Sequence, residues 1–143
     1  MQPTDPKDAR AIEESLEVAG ENAGDLTPRV YEILFERQPE MKPLFWRDQN
    51  SSIRGEMLMR VFEAILDFIG ERKYAHRLIQ CEVLTHAGYD VPPPVFATFF
   101  GIVADAVREA CGARWSAEME AAWRRTLADL DFFVTHPDQA VFA

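Results

Sequence analysis

Proline placement is the feature that most limits what this chain can become. The nine prolines stand at positions 3, 6, 28, 39, 43, 92, 93, 94 and 137, so the stretches 44–91 and 95–136 hold none. A proline inside a helix removes a hydrogen bond and clashes with the preceding turn, at about 3 kcal/mol. Long helices therefore have room in those two stretches. No Asn-Gly, Asp-Gly or Gly-Gly pair offers a tight hairpin, and sustained period-two alternation is missing. Apolar residues recur instead at spacings of three and four, as in Met57, Leu58, Val61, Phe62, Ile65, Leu66 and Ile69. The chain reads as all-α.

Punctuation places the helices. Asp5 and Pro6 open one over about 5–19, with Ile12, Leu16 and Ala19 as a narrow stripe and Gly20 and Gly24 as stops. Thr27-Pro28 opens a second, carrying Val30, Tyr31, Ile33, Leu34 and Phe35, and Pro39 starts a short third that ends near Phe45. Ser52 is the expected cap of a helix over 53–69 that Gly70 stops. Helices follow over 73–87, over 94–111 up to Gly112, and over 117–134 behind Ser116, with Trp123, Leu127, Leu130 and Phe133 inward. At 143 residues this is one domain, 1–143, with its core at about 5–134 and a tail from 135. Helices with wide apolar faces in so small a domain leave room for a ligand between them.

Composition excludes several classes. The net charge is −9, which argues against nucleic acid as a partner, because phosphate neutralisation needs a basic surface. The N-terminus lacks the apolar core of a signal peptide, and Glu63, Asp67 and Asp105 interrupt the apolar runs, so no membrane segment is expected. Only two cysteines, Cys81 and Cys111, argue against a disulfide scaffold and fit a cytoplasmic setting. Oligomeric state stays open between monomer and homodimer, with Trp46, Trp115, Val141 and Phe142 as candidate contacts.

Three histidines are present. His76 stands among Arg72, Lys73 and Arg77, and His136 follows the last helix; both read as surface. His86 ends an apolar helix. A lone histidine there serves structure or the helix dipole more often than a ligand. No His-Glu-x-x-His, Cys-x-x-Cys or glycine-rich phosphate loop occurs, so zinc and phosphate sites fail on ligand count. No elbow motif supports a nucleophile.

The segment VYEILFERQPEMKPLF (30–45) resembles the second and third helices of bacterial single-domain globins, and most of all the haem domain of flavohaemoglobins. FEAILDFIG (62–70) resembles the distal helix that follows. His86, Val91 and Phe96 resemble the proximal histidine and the corner after it, and Trp123 a tryptophan of the last helix. The likeness covers about 12–134. Tyr31 precedes Phe45 by 14 residues, and Met57 and Val61 precede His86 by 29 and 25, separations that agree with globin chains.

The resemblance implies a globin fold, a three-over-three helical sandwich enclosing a haem pocket. It implies haem b, iron protoporphyrin IX, with His86 as the metal ligand through one ring nitrogen and the other donating to the carbonyl one turn back or to Thr85. Tyr31 would donate a hydrogen bond to a diatomic gas: oxygen, NO or CO. Phe45 would wedge against the porphyrin and Val61 would crowd the ligand. Met57 takes the usual distal glutamine or histidine place, and three roles compete for it: filling space, leaving Tyr31 as the lone polar donor, or binding iron through sulfur. Among Arg47, Arg54 and Arg60, one or more would meet the haem propionates. Glu82, one turn before His86, either draws on the imidazole proton or reaches water from a rotated or irregular helix; the cost of a buried unpaired charge favours water.

Flavohaemoglobins carry a lysine before the histidine, a tyrosine at the place of Phe96 and a glutamate in the last helix. Here stand Thr85, Phe96 and, near the glutamate's place, Pro137-Asp138. Three function classes follow: reversible gas binding for transport, storage or sensing; NO dioxygenation or weak peroxidation served by an external reductase; and a haem-free globin-like interaction module.

Overall fold

The computed structural model describes residues 3–45, 48, 52–88, 91 and 93–136. Six α-helices run through it: α1 (Pro6–Ala23), α2 (Thr27–Arg37), α3 (Ser52–Ile69), α4 (Ala75–Ala87), α5 (Pro93–Cys111) and α6 (Ala117–Thr135). Short 3-10 helices occupy Pro39–Phe45 and Gly112–Arg114. Among the described residues there is no strand, as the proline-free stretches and three-four spacing require. No helix is long and apolar enough to cross a membrane.

Several boundaries differ from the sequence expectation. Helix α1 passes through Gly20 and ends at Gly24, whose φ of 66° is left-handed and whose N–H donates to the Gly20 carbonyl. An interior glycine costs only about 1 kcal/mol, and Asn22 offsets it by donating from Nδ2 to the Ala110 carbonyl at 3.0 Å. In α2, Thr27 is the first helical residue, and Asp25 accepts from both its N–H (2.9 Å) and its hydroxyl (2.7 Å). The segment Pro39–Phe45 is 3-10 because Pro43, inside it, has no N–H to give an α ladder.

Two aspartates start helices from a distance. Ser52 lies inside α3, and Asp48 takes the N–H groups of Ile53 (3.1 Å) and Arg54 (3.0 Å). Asp67, near the end of α3, takes the N–H groups of Lys73, Tyr74 and Ala75 at 3.1, 2.9 and 2.7 Å, which delays α4 to Ala75. Burial pushes the Asp67 carboxyl up, but the three N–H bonds and Lys73 outweigh it and hold it below the usual carboxylate value. A group depressed in this way stabilises the fold above its unfolded pKa and stops doing so as pH falls through the lower, folded value. Asp67→Ala is expected to cost about 1–2 kcal/mol at neutral pH, with little left of that difference in strong acid. Urea midpoints of the two proteins across the acid range measure it.

Helices α1, α5 and α6 pack on one another, α2 lies on α5, and α3 pairs with α4. Trp123 of α6 is buried and donates through Nε1 to Ser15 Oγ at 2.9 Å, while Ser15 donates to the Ile12 carbonyl. Arg125 clamps Asp8 with two bonds of 2.7 and 2.6 Å, tying α6 to the start of α1. Ser116 caps α6 as expected. Ile12, Ala19, Ile65, Ile69, Leu130 and Phe133 are core, whereas Leu66, assigned to the inner stripe of α3, is exposed. Trp46, Arg47, Val141, Phe142 and Pro137-Asp138 lie outside the described residues.

Candidate functional site

One cavity of about 760 Å³ opens between α2, the following 3-10 helix, α3, α4 and α5. That volume suits a small molecule or cofactor. Its wall is built by helical spacing. Met57, Arg60, Val61 and Ala64 face it from α3, Leu78, Ile79, Glu82 and His86 from α4, and Phe96, Phe99 and Phe100 from α5. Tyr31 and Leu34 of α2, Phe45 and Val91 complete the aromatic and aliphatic surface. Of the residues singled out by the sequence, His86, Tyr31, Phe45, Met57, Val61, Arg60, Val91 and Phe96 border this space.

His86 sits in the last turn of α4 with its side chain 24% exposed. Its Nδ1 is 2.7 Å from the Glu82 carbonyl. A carbonyl oxygen only accepts, so Nδ1 carries the proton and Nε2 holds the lone pair. Nε2 meets no hydrogen-bond partner among the described residues. Of the two acceptors expected for Nδ1, the structure uses the carbonyl, because Thr85 is exposed and gives its hydroxyl to the Cys81 carbonyl at 2.9 Å. Phe96 meets the imidazole edge-on, with ring centroids 5.0 Å apart, and limits its rotation. His76 is half-buried, and His136 is exposed and stacks on Phe132 at 4.4 Å; neither lines the cavity.

Tyr31 is 2% exposed and its hydroxyl is buried without a partner among the described residues. Phe45, Phe99 and Phe35 surround the ring at centroid distances of 5.5, 5.6 and 6.1 Å. Burial raises its pKa well above the ordinary tyrosine value, Arg54 draws it back down and Asp48 adds to the rise, so the hydroxyl stays protonated. A buried hydroxyl with no acceptor costs about 1–3 kcal/mol. Such a group in a cavity wall is a place where a ligand acceptor belongs.

Arg54 is not in the cavity wall. Its Nε bonds Asp48 at 2.9 Å, and its guanidinium lies over Phe45 and Phe35 at 5.9 and 6.0 Å. The Asp48 side chain is wholly buried. Burial pushes its carboxyl up, and the bonds from the Arg54 side chain and from the N–H groups of Arg54 and Ile53 more than reverse this. Arg54 thus braces the aromatic cluster from behind. Arg60 does line the cavity, half-exposed, with Nη2 3.3 Å from Glu56.

Sequence reasoning passed over Gln38. It donates from Nε2 to Thr98 Oγ1 at 2.8 Å, while Thr98 gives its own proton to the Val95 carbonyl at 2.6 Å. The amide orientation is therefore fixed, and Oε1 is left in the cavity wall as a buried acceptor without a partner among the described residues. Two helical turns separate it from Tyr31, the spacing that could have flagged it. Phe99, one turn beyond Phe96, could have been found in the same way.

The donor set fits a porphyrin better than a bare metal ion. No group of three or more His, Cys, Asp or Glu side chains able to hold a metal exists among the described residues. One imidazole with a free nitrogen, a broad apolar wall and an unpartnered hydroxyl suit a flat apolar cofactor that needs a single protein ligand. Comparison with curated proteins and with solved structures finds no significant match. The globin family model matches residues 28–131, a span that runs from the start of α2 to near the end of α6. With its all-α globin architecture around one cavity, the chain belongs to the globin family, whose members bind haem and diatomic gases.

Proposed function

We propose that the cavity holds haem b, that His86 is the protein's iron ligand through Nε2, and that the protein reversibly binds oxygen or another diatomic gas. One observation carries this reading: an imidazole with Nδ1 tied to its own helix and Nε2 free borders the same apolar cavity as the unpartnered Tyr31 hydroxyl. Ferrous haem supplies the reversible coordination of the gas. The residues of the chain supply the rest. The Nδ1 bond fixes the tautomer and the ring plane of His86. Tyr31 would donate a hydrogen bond to the gas ligand. Met57, half-buried in the wall, offers no donor, which leaves Tyr31 in charge of polarity there. Val61 limits the size of what binds, and Phe45, Val91 and Phe96 exclude water.

Arg60 is the only lysine or arginine among the described residues lining the cavity. In this reading it exchanges Glu56 for a haem propionate. A half-exposed pair of this kind is worth about 0–1 kcal/mol, so Arg60→Ala should speed haem transfer to an acceptor protein by up to roughly fivefold. Stopped-flow absorbance measures the transfer.

The test of the function is titration of the purified protein with haemin. The expected result is saturation at one equivalent, with a Soret band that shifts on reduction and again on adding carbon monoxide. A five-coordinate reduced spectrum is expected, and a six-coordinate one assigns Met57 sulfur to the iron instead. No saturable binding overturns the proposal.

A further inference from the structure

Three carboxylates line the cavity, and they are not alike. Asp48 is bound by Arg54, and Glu56 by Arg60. Glu82 has no lysine or arginine partner among the described residues. Its one ionisable neighbour within pairing distance is His86, with Glu82 Oε2 3.6 Å from Nδ1. The same residue supplies the backbone carbonyl that takes the Nδ1 proton at 2.7 Å. Helix α4 is regular from Ala75 to Ala87, so the expected rotation or irregularity is corrected; the Glu82 side chain does reach water, being 33% exposed, and it also borders the cavity.

We propose that Glu82 is a positioning residue which makes His86 a more electron-rich ligand and favours the oxidised state of iron bound at Nε2. The inference rests on the haem reading above. Nδ1 stands between two oxygens of one residue, a neutral one that accepts its proton and a charged one just beyond hydrogen-bond range. The carbonyl fixes the ring. The carboxylate adds negative charge beside the N–H, polarising that bond toward imidazolate and raising the basicity of Nε2. Oxidised haem iron carries one more positive charge than reduced iron, so a nearby uncompensated carboxylate stabilises the oxidised form.

The experiment is a spectroelectrochemical titration of the haem-loaded protein, of Glu82→Gln and of Glu82→Asp. Glu82→Gln keeps shape and backbone carbonyl and removes the charge. It is expected to shift the oxidised-to-reduced equilibrium about tenfold toward reduction, a rise of about 59 mV for a one-electron couple. Glu82→Asp keeps the charge on a shorter arm and should fall between. Resonance Raman of the reduced protein should show a weaker iron–histidine stretch in Glu82→Gln. A shift under about twofold with an unchanged stretch overturns the role of Glu82 and leaves haem binding standing. Failure of the unsubstituted protein to bind haemin overturns both.

Discussion

His86→Ala is expected to weaken haem retention by about a hundredfold or more, and added imidazole is expected to restore the lost spectrum. Substitutions that only disturb the partner of a ligating histidine already cost 10–100-fold in affinity, so removing the ligand lies at or beyond that limit. On the proposed reading the remaining grip would come from burial of the porphyrin against the cavity residues Phe45, Val61 and Phe96, which the substitution leaves in place. Free imidazole fits the space vacated by the side chain, so recovery separates loss of a ligand from collapse of the cavity. The fold itself should hardly notice, because the side chain is a quarter exposed and its one bond is to its own helix. A Soret band in His86→Ala identical to that of the unsubstituted protein sinks the assignment. Neither remaining histidine could then be the ligand by the present arrangement, since both lie away from the cavity wall.

Helix positions were legible because the devices that end them are mostly local. Pro6, Gly70, Gly112 and Ser116 act on residues beside them, and the structure uses each near its expected place. Gly20 and Gly24 show where this stops. The two look equal in sequence, yet only Gly24 adopts the left-handed conformation, while a bond from Asn22 to Ala110, 88 positions on, carries the helix through Gly20. The same holds for Asp48 and Asp67. A capping rule inspects the residue next to the helix, whereas these carboxylates reach N–H groups five to eight positions away.

The candidate site was legible to the extent that it repeats along helices. Residues three or four apart share a face, so Met57 implies Arg60 and Val61 whatever the rest of the chain does. Partnership between helices was not legible. Whether Arg54 meets a propionate or Asp48, and whether Gln38 is satisfied, depends on the loop before α3 and on Thr98 of α5. Glu82 was legible in position and not in consequence. Its neighbour was evident from spacing, but the lack of a competing cation among the described residues needs the surrounding elements in view.

Tyr31→Phe should change two measurements in opposite senses. In the haem-free protein the hydroxyl is a buried donor with nothing to receive its proton. Removing it relieves a desolvation cost, so thermal stability is expected to hold or rise, by up to about 1 kcal/mol. On the proposed reading, the loaded protein gives the hydroxyl its acceptor. Bound oxygen draws negative charge, and a hydrogen bond to a charged acceptor in a cavity of low polarity is worth about 1.5–3 kcal/mol. Oxygen release should therefore quicken roughly ten- to a hundredfold. Carbon monoxide, which gathers far less charge, should leave at a nearly unchanged rate and serves as the control for altered access. The raised pKa of Tyr31 adds a sign. A hydroxyl held protonated by burial donates equally well through neutral and mildly alkaline solution, so the oxygen rate of the unsubstituted protein should be flat to about pH 9. Flash photolysis and ligand replacement give these rates. A destabilised Tyr31→Phe protein with unaltered oxygen release would mean that the ring serves the aromatic cluster of Phe35, Phe45 and Phe99 alone, and that the polarity of the cavity is set elsewhere in its wall.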